Sequence, residues 1–300
     1  FEYSFDNLSN FNLVFGLRYD NHNNLGSFFT PRLHFRYLLN DNFSIKGSAG
    51  TGRKIANIFA ENQVIFLSNR KNLNKTFTEK LYGVNPEKAT NLGFSLDHKV
   101  FLLGGQGNII FDYYNTTFDN RVIIDFETPG EFNFYNSTLG KSKSNSFQAE
   151  FLFSKNNWNI TAAYKKYDVK SYYNSGLKEK PLQPRNILFF NYGIESNKIN
   201  DKNWKFDITY SRLGKQRLVR NPRDNFELVD PHFSINSQIT RVFSSKFEVY
   251  LGGENINNFK QEDPIIMANN PFDPMFDASI VHGPIFGSTY YMGLRFKILN

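Results

Sequence analysis

Residues 289–298 read TYYMGLRFKI, and large apolar side chains alternate there with small, polar or charged ones. The apolar positions are Tyr290, Met292, Leu294, Phe296 and Ile298. Side chains of a β-strand point alternately to its two faces, so this period of two predicts a strand with one apolar face. A tilted strand needs about 9–11 residues to cross a bilayer, whereas strands of soluble proteins average about 5–6. The stretch is therefore long enough for a membrane-spanning strand.

The same alternation recurs along the 300-residue chain and predicts about twelve strands. The predicted strands are 11–19, 30–39, 43–50, 89–98, 107–117, 144–153, 158–168, 186–195, 204–212, 232–242, 247–254 and 289–298. Residues Phe1–Phe5 resemble the tail of a further strand, followed by a turn over Asp6–Asn10. Two arrangements remain open: the native chain has more strands, or 11–19 pairs with 289–298 and closes a smaller ring.

The connections between these strands alternate in length. Short links at 40–42, 154–157 and 244–245, and somewhat longer ones at 99–106 and 196–203, alternate with the long links 20–29, 51–88, 118–143, 169–185, 213–231 and 255–288. This order places all short turns at one end of the sheet and all long loops at the other. It predicts an all-β fold, a transmembrane antiparallel meander barrel with short periplasmic turns and long extracellular loops.

Composition excludes several other classes of protein. Aromatic residues make up 17% of the chain, which is incompatible with intrinsic disorder. There is no Cys, which excludes disulfides, thiolate metal sites and Cys nucleophiles. No apolar run is long enough for a transmembrane helix. The net charge of +7 is dispersed without a basic block, so we expect no nucleic-acid partner.

Five short motifs, in order along the chain, carry a family resemblance. They are GLRYD at 16–20 with TPRL at 30–33, SAGTGR at 48–53 with NIFAE at 57–61, NPEKATN at 85–91, GGENINN at 252–258, and GPIFG at 283–287 leading into GLRF at 293–296. The sequence resembles the C-terminal part of the barrel of TonB-dependent outer-membrane receptors, especially the Bacteroidetes kind. Lys54 and Ile55 depart from the common form of the second motif.

The resemblance implies a barrel of 22 strands, of which residues 1–300 would be the C-terminal portion, without the plug domain and the N-terminal strands. It implies import of a scarce solute, such as a metal chelate or a cofactor, across the outer membrane of a Gram-negative bacterium. The implied partners are the TonB complex, the receptor's own plug and membrane lipid. We expect no catalytic residue and no resident cofactor.

Two alternatives belong to other functional classes. A passive porin of twelve strands would need no energy source and no plug. An outer-membrane hydrolase would need a nucleophilic Ser close to a His, and the short spacing of His232 and Ser234 offers the one such pair on a predicted strand. The context expected around such a pair is missing, so this alternative ranks last.

The alternation also assigns side chains to faces. We expect a set of apolar residues to face lipid: Leu13, Phe35, Phe111, Phe151, Ile208, Leu251 and Leu294. We expect charged residues to face the lumen and the plug: Arg18, Arg32, Arg36, Lys46, Glu150, Asp207 and Arg295. The interior of a wide barrel is wet or plugged, so it needs such a polar wall.

The link 255–288 contains thioether, imidazole and carboxylate groups that could together bind a transition metal such as copper. The candidate ligands are Met267, Asp273, Met275, Asp277 and His282. They show no regular ligand spacing, and ordinary loop packing is the simpler interpretation.

Overall fold

The structure is a computed structural model that describes residues 1–7, 10–74, 79–219, 228–273 and 276–298. Its strands in chain order are β1 Glu2–Asn7, β2 Phe11–His22, β3 Gly26–Asn40, β4 Phe43–Lys54, β5 Lys71–Asn72, β6 Glu87–Leu102, β7 Gly105–Phe118, β8 Val122–Asp125, β9 Glu131–Asn136, β10 Ser142–Lys155, β11 Trp158–Tyr173, β12 Gly176–Glu179, β13 Asn186–Glu195, β14 Asn203–Leu213, β15 Gln216–Arg217, β16 Leu228–Val229, β17 His232–Val242, β18 Phe247–Glu254, β19 Ile265–Ile266, β20 Asp277–Val281 and β21 Thr289–Phe296. The helical segments are α1 Ile58–Glu61 and the 3₁₀ turns Gln63–Leu67 and Lys80–Gly83. No helix in the described ranges is long and apolar enough to cross a membrane.

One large antiparallel sheet dominates the molecule. Its strands follow the order β1-β2-β3-β4-β6-β7-β10-β11-β13-β14-β17-β18-β21, and β12 pairs with the end of β11. Each of the twelve strands predicted from the sequence corresponds to one strand of this path, and β1 is the predicted extra strand tail. The predicted all-β meander is therefore confirmed. Within the described residues no pairing joins β1 to β21, so the sheet is open at both edges.

Several strands extend further than the alternation predicts. The predicted long link 20–29 is a turn over residues 23–25, because Asn21 and Ser27 still pair in register and the Ser27 hydroxyl donates to Asn21 Oδ1 at 3.3 Å. The predicted link 99–106 is a two-residue turn, in which Leu103 and Gly104 both have the positive φ that a type I′ hairpin needs. These strand ends are polar or irregular in sequence, so an apolar alternation cannot reveal them.

The strand register sorts side chains into two faces across the whole sheet. Leu13 lies opposite Phe35, and Leu251 lies opposite Ile239 and Met292. Followed strand by strand, the register places all seven residues expected to face lipid on this same face. Much of the face is bare, with Leu294 68% exposed and Met292 80% exposed. It is an apolar surface that the described chain leaves uncovered.

Short elements in the long connections form a second, smaller core. Ile58 and Phe134 are each 1% exposed and pack with Ala56, Ile65, Val84 and Phe132. Here β5 pairs with β9 in parallel and β9 pairs with β8 in antiparallel. The parallel pair departs from the predicted antiparallel arrangement, and it arises because two different connections meet rather than because the main sheet changes direction.

Candidate functional site

The charged residues expected in the lumen share the face opposite the apolar one. The register places Arg18, Arg32, Arg36, Lys46, Glu150, Asp207 and Arg295 on this polar face. Ion pairs between strands balance part of the charge: Arg32 Nη2 lies 2.5 Å from Glu2 Oε2, and Arg295 pairs with Glu248. Because both side chains of the Arg32–Glu2 pair are solvent-exposed, this pair contributes at most about 1 kcal/mol.

At one end of the sheet, five long connections lie together. We call them the long loops: residues 55–86, 119–141, 174–185, 214–231 and 255–288, as far as they are described. Among the described residues, the opposite end carries only short connections, such as those at 41–42 and 156–157. The predicted alternation of short and long links is therefore confirmed, apart from the 20–29 link.

Arg70 joins three of the long loops. Its Nε donates to Asp277 Oδ2 at 2.5 Å, and the two side chains are 4% and 5% exposed. Its Nη1 donates to three backbone carbonyls of 119–141, those of Phe126, Thr128 and Glu131, each at 3.0 Å. The buried charge is thus paired and also hydrogen-bonded, which is the condition for a buried ion pair to hold elements together.

Glu127 joins three loops in a second ionic centre. It accepts hydrogen bonds from Arg217 Nη2 at 2.7 Å and from Lys178 Nζ at 2.7 Å. Burial alone would raise the pKa of Glu127, but the hydrogen bonds from Arg217 and Lys178 outweigh burial and hold the pKa below its ordinary value. The carboxylate is therefore charged at neutral pH and fixes 119–141 against 174–185 and 214–231.

Tyr135 adds a neutral link between two of the loops. Its hydroxyl donates to Asp125 Oδ2 at 2.6 Å and accepts from the backbone N–H of Asn174 at 2.9 Å. Burial, and then the bond to Asp125, raise the pKa of Tyr135 well above its ordinary value. The phenol is consequently protonated throughout the physiological range and serves as a fixed hydrogen-bond donor.

Polar groups hold the described part of the loop 255–288, which contains the candidate metal ligands, to its neighbours. Asp277, a candidate ligand, is paired with Arg70 and also accepts from the Ser279 hydroxyl at 2.5 Å. Met275 lies outside the described residues. Among the residues that are described, no group of three or more His, Asp or Glu could hold a metal ion. Of the other candidates, His282 is 9% exposed, and burial lowers its pKa against the opposing effect of Asp263.

The His232 and Ser234 pair has no catalytic arrangement. The His232 ring stacks on Phe259 with centroids 5.0 Å apart and planes 1° apart. No hydrogen bond joins His232 to Ser234 in the described part of the chain, and His232 Nδ1 has no partner there. The structure thus gives the histidine a packing role at the start of β17.

Asparagine side chains of the 252–258 motif form hydrogen bonds between the end of the sheet and the last long loop. Asn255 Nδ2 donates to the carbonyls of Phe259 at 2.7 Å and Phe286 at 3.2 Å. Asn257 Oδ1 accepts from the backbone N–H of Ile235 at 2.9 Å. The motif therefore has a structural explanation: its amides satisfy backbone groups that the ending strands leave unpaired.

Arg70, Glu127 and Arg217 were not singled out from the sequence. Arg70 and Asp277 are 207 residues apart, so no local spacing connects them. The sequence could have predicted a buried ion pair at Glu127. A carboxylate in a long, partly apolar link needs a cationic partner if that link folds into a core.

Comparison with known proteins identifies the architecture. Residues 1–256 match the family described as TonB dependent receptor-like, beta-barrel. A search of curated proteins found no match.

Solved structures agree in fold at low sequence identity. The siderophore receptor PirA from Acinetobacter baumannii is 14% identical with a TM-score of 0.70, and the match covers 98% of this chain and 44% of that one. The copper transporter OprC is 13% identical with a TM-score of 0.69, covering 98% and 46%. The ferripyoverdine receptor of Pseudomonas aeruginosa is 16% identical with a TM-score of 0.66, covering 98% and 37%.

The chain thus spans less than half the length of these structural neighbours. Its open meander, its two-faced register and the family match over most of its length agree with one another. This chain belongs to the TonB-dependent receptor-like β-barrel family.

Proposed function

We propose that this chain is the C-terminal portion of the barrel of an outer-membrane receptor that imports a scarce solute, such as a metal chelate or a cofactor, with energy delivered through TonB. The observation that carries the proposal is the uncovered apolar face that extends from Leu13 to Leu294 across an antiparallel meander. A soluble protein rarely leaves so large an apolar surface bare, whereas lipid covers it in a membrane. Family membership supports the same proposal.

The polar face would line the interior and contact the plug. Its charges are mixed in sign, as in Arg32 with Glu2 and Arg295 with Glu248, so it can form ion pairs with a plug that carries both signs. The plug and the remaining strands, about ten if the whole barrel has 22, would belong to the rest of the native protein. The outer membrane of a Gram-negative bacterium, of the Bacteroidetes kind, would be its location.

The long loops would then lie on the extracellular side and receive the solute. Arg70 and Glu127 hold these loops to each other through buried ionic contacts, so the mouth they form is preorganised rather than loose. A preorganised mouth binds a solute with less loss of conformational entropy than separate flexible loops would.

A passive porin would need β1 or β2 to pair with β21, and the described residues contain no such pairing. TonB dependence separates the two functions in cells. A strain deleted for the full reading frame is grown on limiting iron, copper, cobalamin or glycan sources, beside a strain deleted for TonB and a complemented strain.

We expect both deletions to slow growth on the same source, and complementation to restore it. Equal growth of the TonB deletion and the wild type on the source that needs this gene would contradict active import and favour a pore.

A further inference from the structure

A cavity of about 460 Å³ lies where the long loops meet the sheet. Strand ends contribute Lys54, Phe118 and Ser171 to its wall. The register places Asp112 and Lys165 on the same polar face as Lys46. Each of the three cavity residues is an even number of residues from one of these on its own strand, so each projects from the polar face. The cavity therefore opens on the side that the proposed function assigns to the interior of the barrel.

Two cationic side chains line this cavity and have no counter-ion among the described residues. Arg121 lies over the Phe118 ring, with its Cζ 5.1 Å from the ring centroid, and its guanidinium makes no hydrogen bond or ion pair with any described residue. Lys180 enters from the loop 174–185, remains accessible to solvent and forms no ion pair in the described ranges. Partial burial of its ammonium group, and then the charge of Arg121, lower the pKa of Lys180.

The carboxylates of the cavity are already engaged elsewhere. Glu61 accepts from Lys54 Nζ at 2.5 Å, and Glu87 Oε1 accepts from the backbone N–H of Val122 at 2.9 Å. Neither carboxylate pairs with Arg121 or Lys180. The Nη1 atom of Arg121 is shielded from solvent and has no partner in the part of the chain that the structure describes. An unsatisfied charged donor of this kind costs free energy until an acceptor reaches the group.

We propose that Arg121 and Lys180 form an anion-binding subsite that holds a carboxylate or phosphate group of the incoming solute. The two residues come from different loops and line the same cavity, and two cationic groups at one cavity suit an oxyanion, with Arg121 able to donate in a bidentate manner. The stacking on Phe118 orients the guanidinium in advance. The inference deepens the proposed function, because it names the chemical class of solute that the mouth would accept.

Binding of simple anions to the purified full-length receptor in detergent tests the subsite. Citrate and inorganic phosphate are titrated separately by calorimetry, which distinguishes a carboxylate site from a phosphate site. The site variants are Arg121→Gln, Lys180→Gln and the double variant. Lys141→Gln and Arg185→Gln are matched controls, since they remove exposed cations, each with its own carboxylate partner, from the same two loops.

We expect at least one anion to bind the wild type and the controls. Each single site variant should weaken this binding about tenfold, and the double variant should abolish it. Lys180→Arg should retain binding. Folding of each variant is checked by heat-dependent gel migration. If Arg121→Gln does not fold, the binding affinity of Lys180→Gln alone tests the subsite, because Lys180 is accessible to solvent.

Equal affinity of wild type and Lys180→Gln, or failure of both anions to bind the wild type at millimolar concentration, would overturn the subsite. TonB-dependent growth is scored independently of binding. If TonB-dependent growth persists but no anion binds, the subsite is wrong and the receptor function stands. If an anion binds but growth does not depend on TonB, the subsite stands and the receptor function is wrong.

Discussion

The single side chain of Arg70 joins three of the long loops. Its buried charge is matched by Asp277 and by three carbonyls of another loop, so several otherwise independent connections share one contact. Removing one partner of such a pair leaves the other buried and uncompensated.

We expect Arg70→Gln to destabilise the packed long loops by about 3–5 kcal/mol, because the Asp277 carboxylate would remain buried without its cation. Hydrogen exchange of the full-length receptor should show faster exchange in 55–86, 119–141 and 255–288, with the sheet unchanged. Lys141→Gln, which removes an exposed pair with Asp119, should change exchange little. Unchanged protection of these loops in Arg70→Gln would show that Arg70 does not join them.

Glu127 makes the same loops sensitive to acid. Its pKa is lower in the folded loops than its ordinary value of 4.5, so its stabilising contribution is complete above that value and is lost as pH falls through the folded pKa. We expect loop protection to fall below about pH 4.5 in the wild type. Glu127→Gln should be less protected at neutral pH and should lose the part of the pH dependence that Glu127 causes. Parallel pH profiles for the wild type and Glu127→Gln would exclude this role.

At the scale of elements, the period-two pattern predicted the strands well and their ends poorly. The pattern reflects one apolar and one polar face of the sheet, so it stops where a strand extends beyond the apolar face. The pairs at 21 and 27, and the short strands β8 and β9, are held by hydrogen bonds and by loop packing instead. The anion subsite was equally invisible, because Arg121 and Lys180 come to line one cavity only through tertiary packing.

The sequence also did not predict which residues lie opposite one another on neighbouring strands. Gly293, in the stretch 289–298, lies opposite Tyr250, and a Cβ at Gly293 would fall 2.3 Å from Tyr250 Cζ. Gly252 stands in the same relation to Tyr291. The glycines make room for aromatic rings of the neighbouring strand, a reason for their presence that only the register reveals.

The two faces of β7 provide a matched test of the sheet's orientation. Phe111, opposite Leu96 and Ala149, is on the apolar face, and the adjacent Asp112 is on the polar face. Phe111→Arg should cost about 2–4 kcal/mol if that face meets lipid at mid-membrane, whereas Asp112→Arg should be tolerated in a wet interior. The measurement is the folded yield of the full-length protein in detergent. Equal yields would remove the assignment of faces, and a greater loss with Asp112→Arg would reverse it.

At the scale of the whole molecule, the open edges of the sheet carry the strongest constraint. In lipid, each unpaired backbone N–H or C=O costs several kcal/mol, so β1 and β21 need partner strands in the membrane. The structural neighbours are more than twice as long as the part they share with this chain.

Expression of residues 1–300 alone, beside the full reading frame, tests whether β1 and β21 need partner strands from outside these residues. We expect the full protein to give a discrete, heat-resistant species on gels in mild detergent, and residues 1–300 to give none, because an open sheet cannot satisfy its edges in an apolar medium. Co-expression of the preceding barrel segment should restore the species if that segment supplies the partners of β1 and β21. Stable single-channel conductance from residues 1–300 alone, with a hydrogen-bond ladder joining 11–19 to 289–298, would instead mean that this chain closes by itself and is a pore.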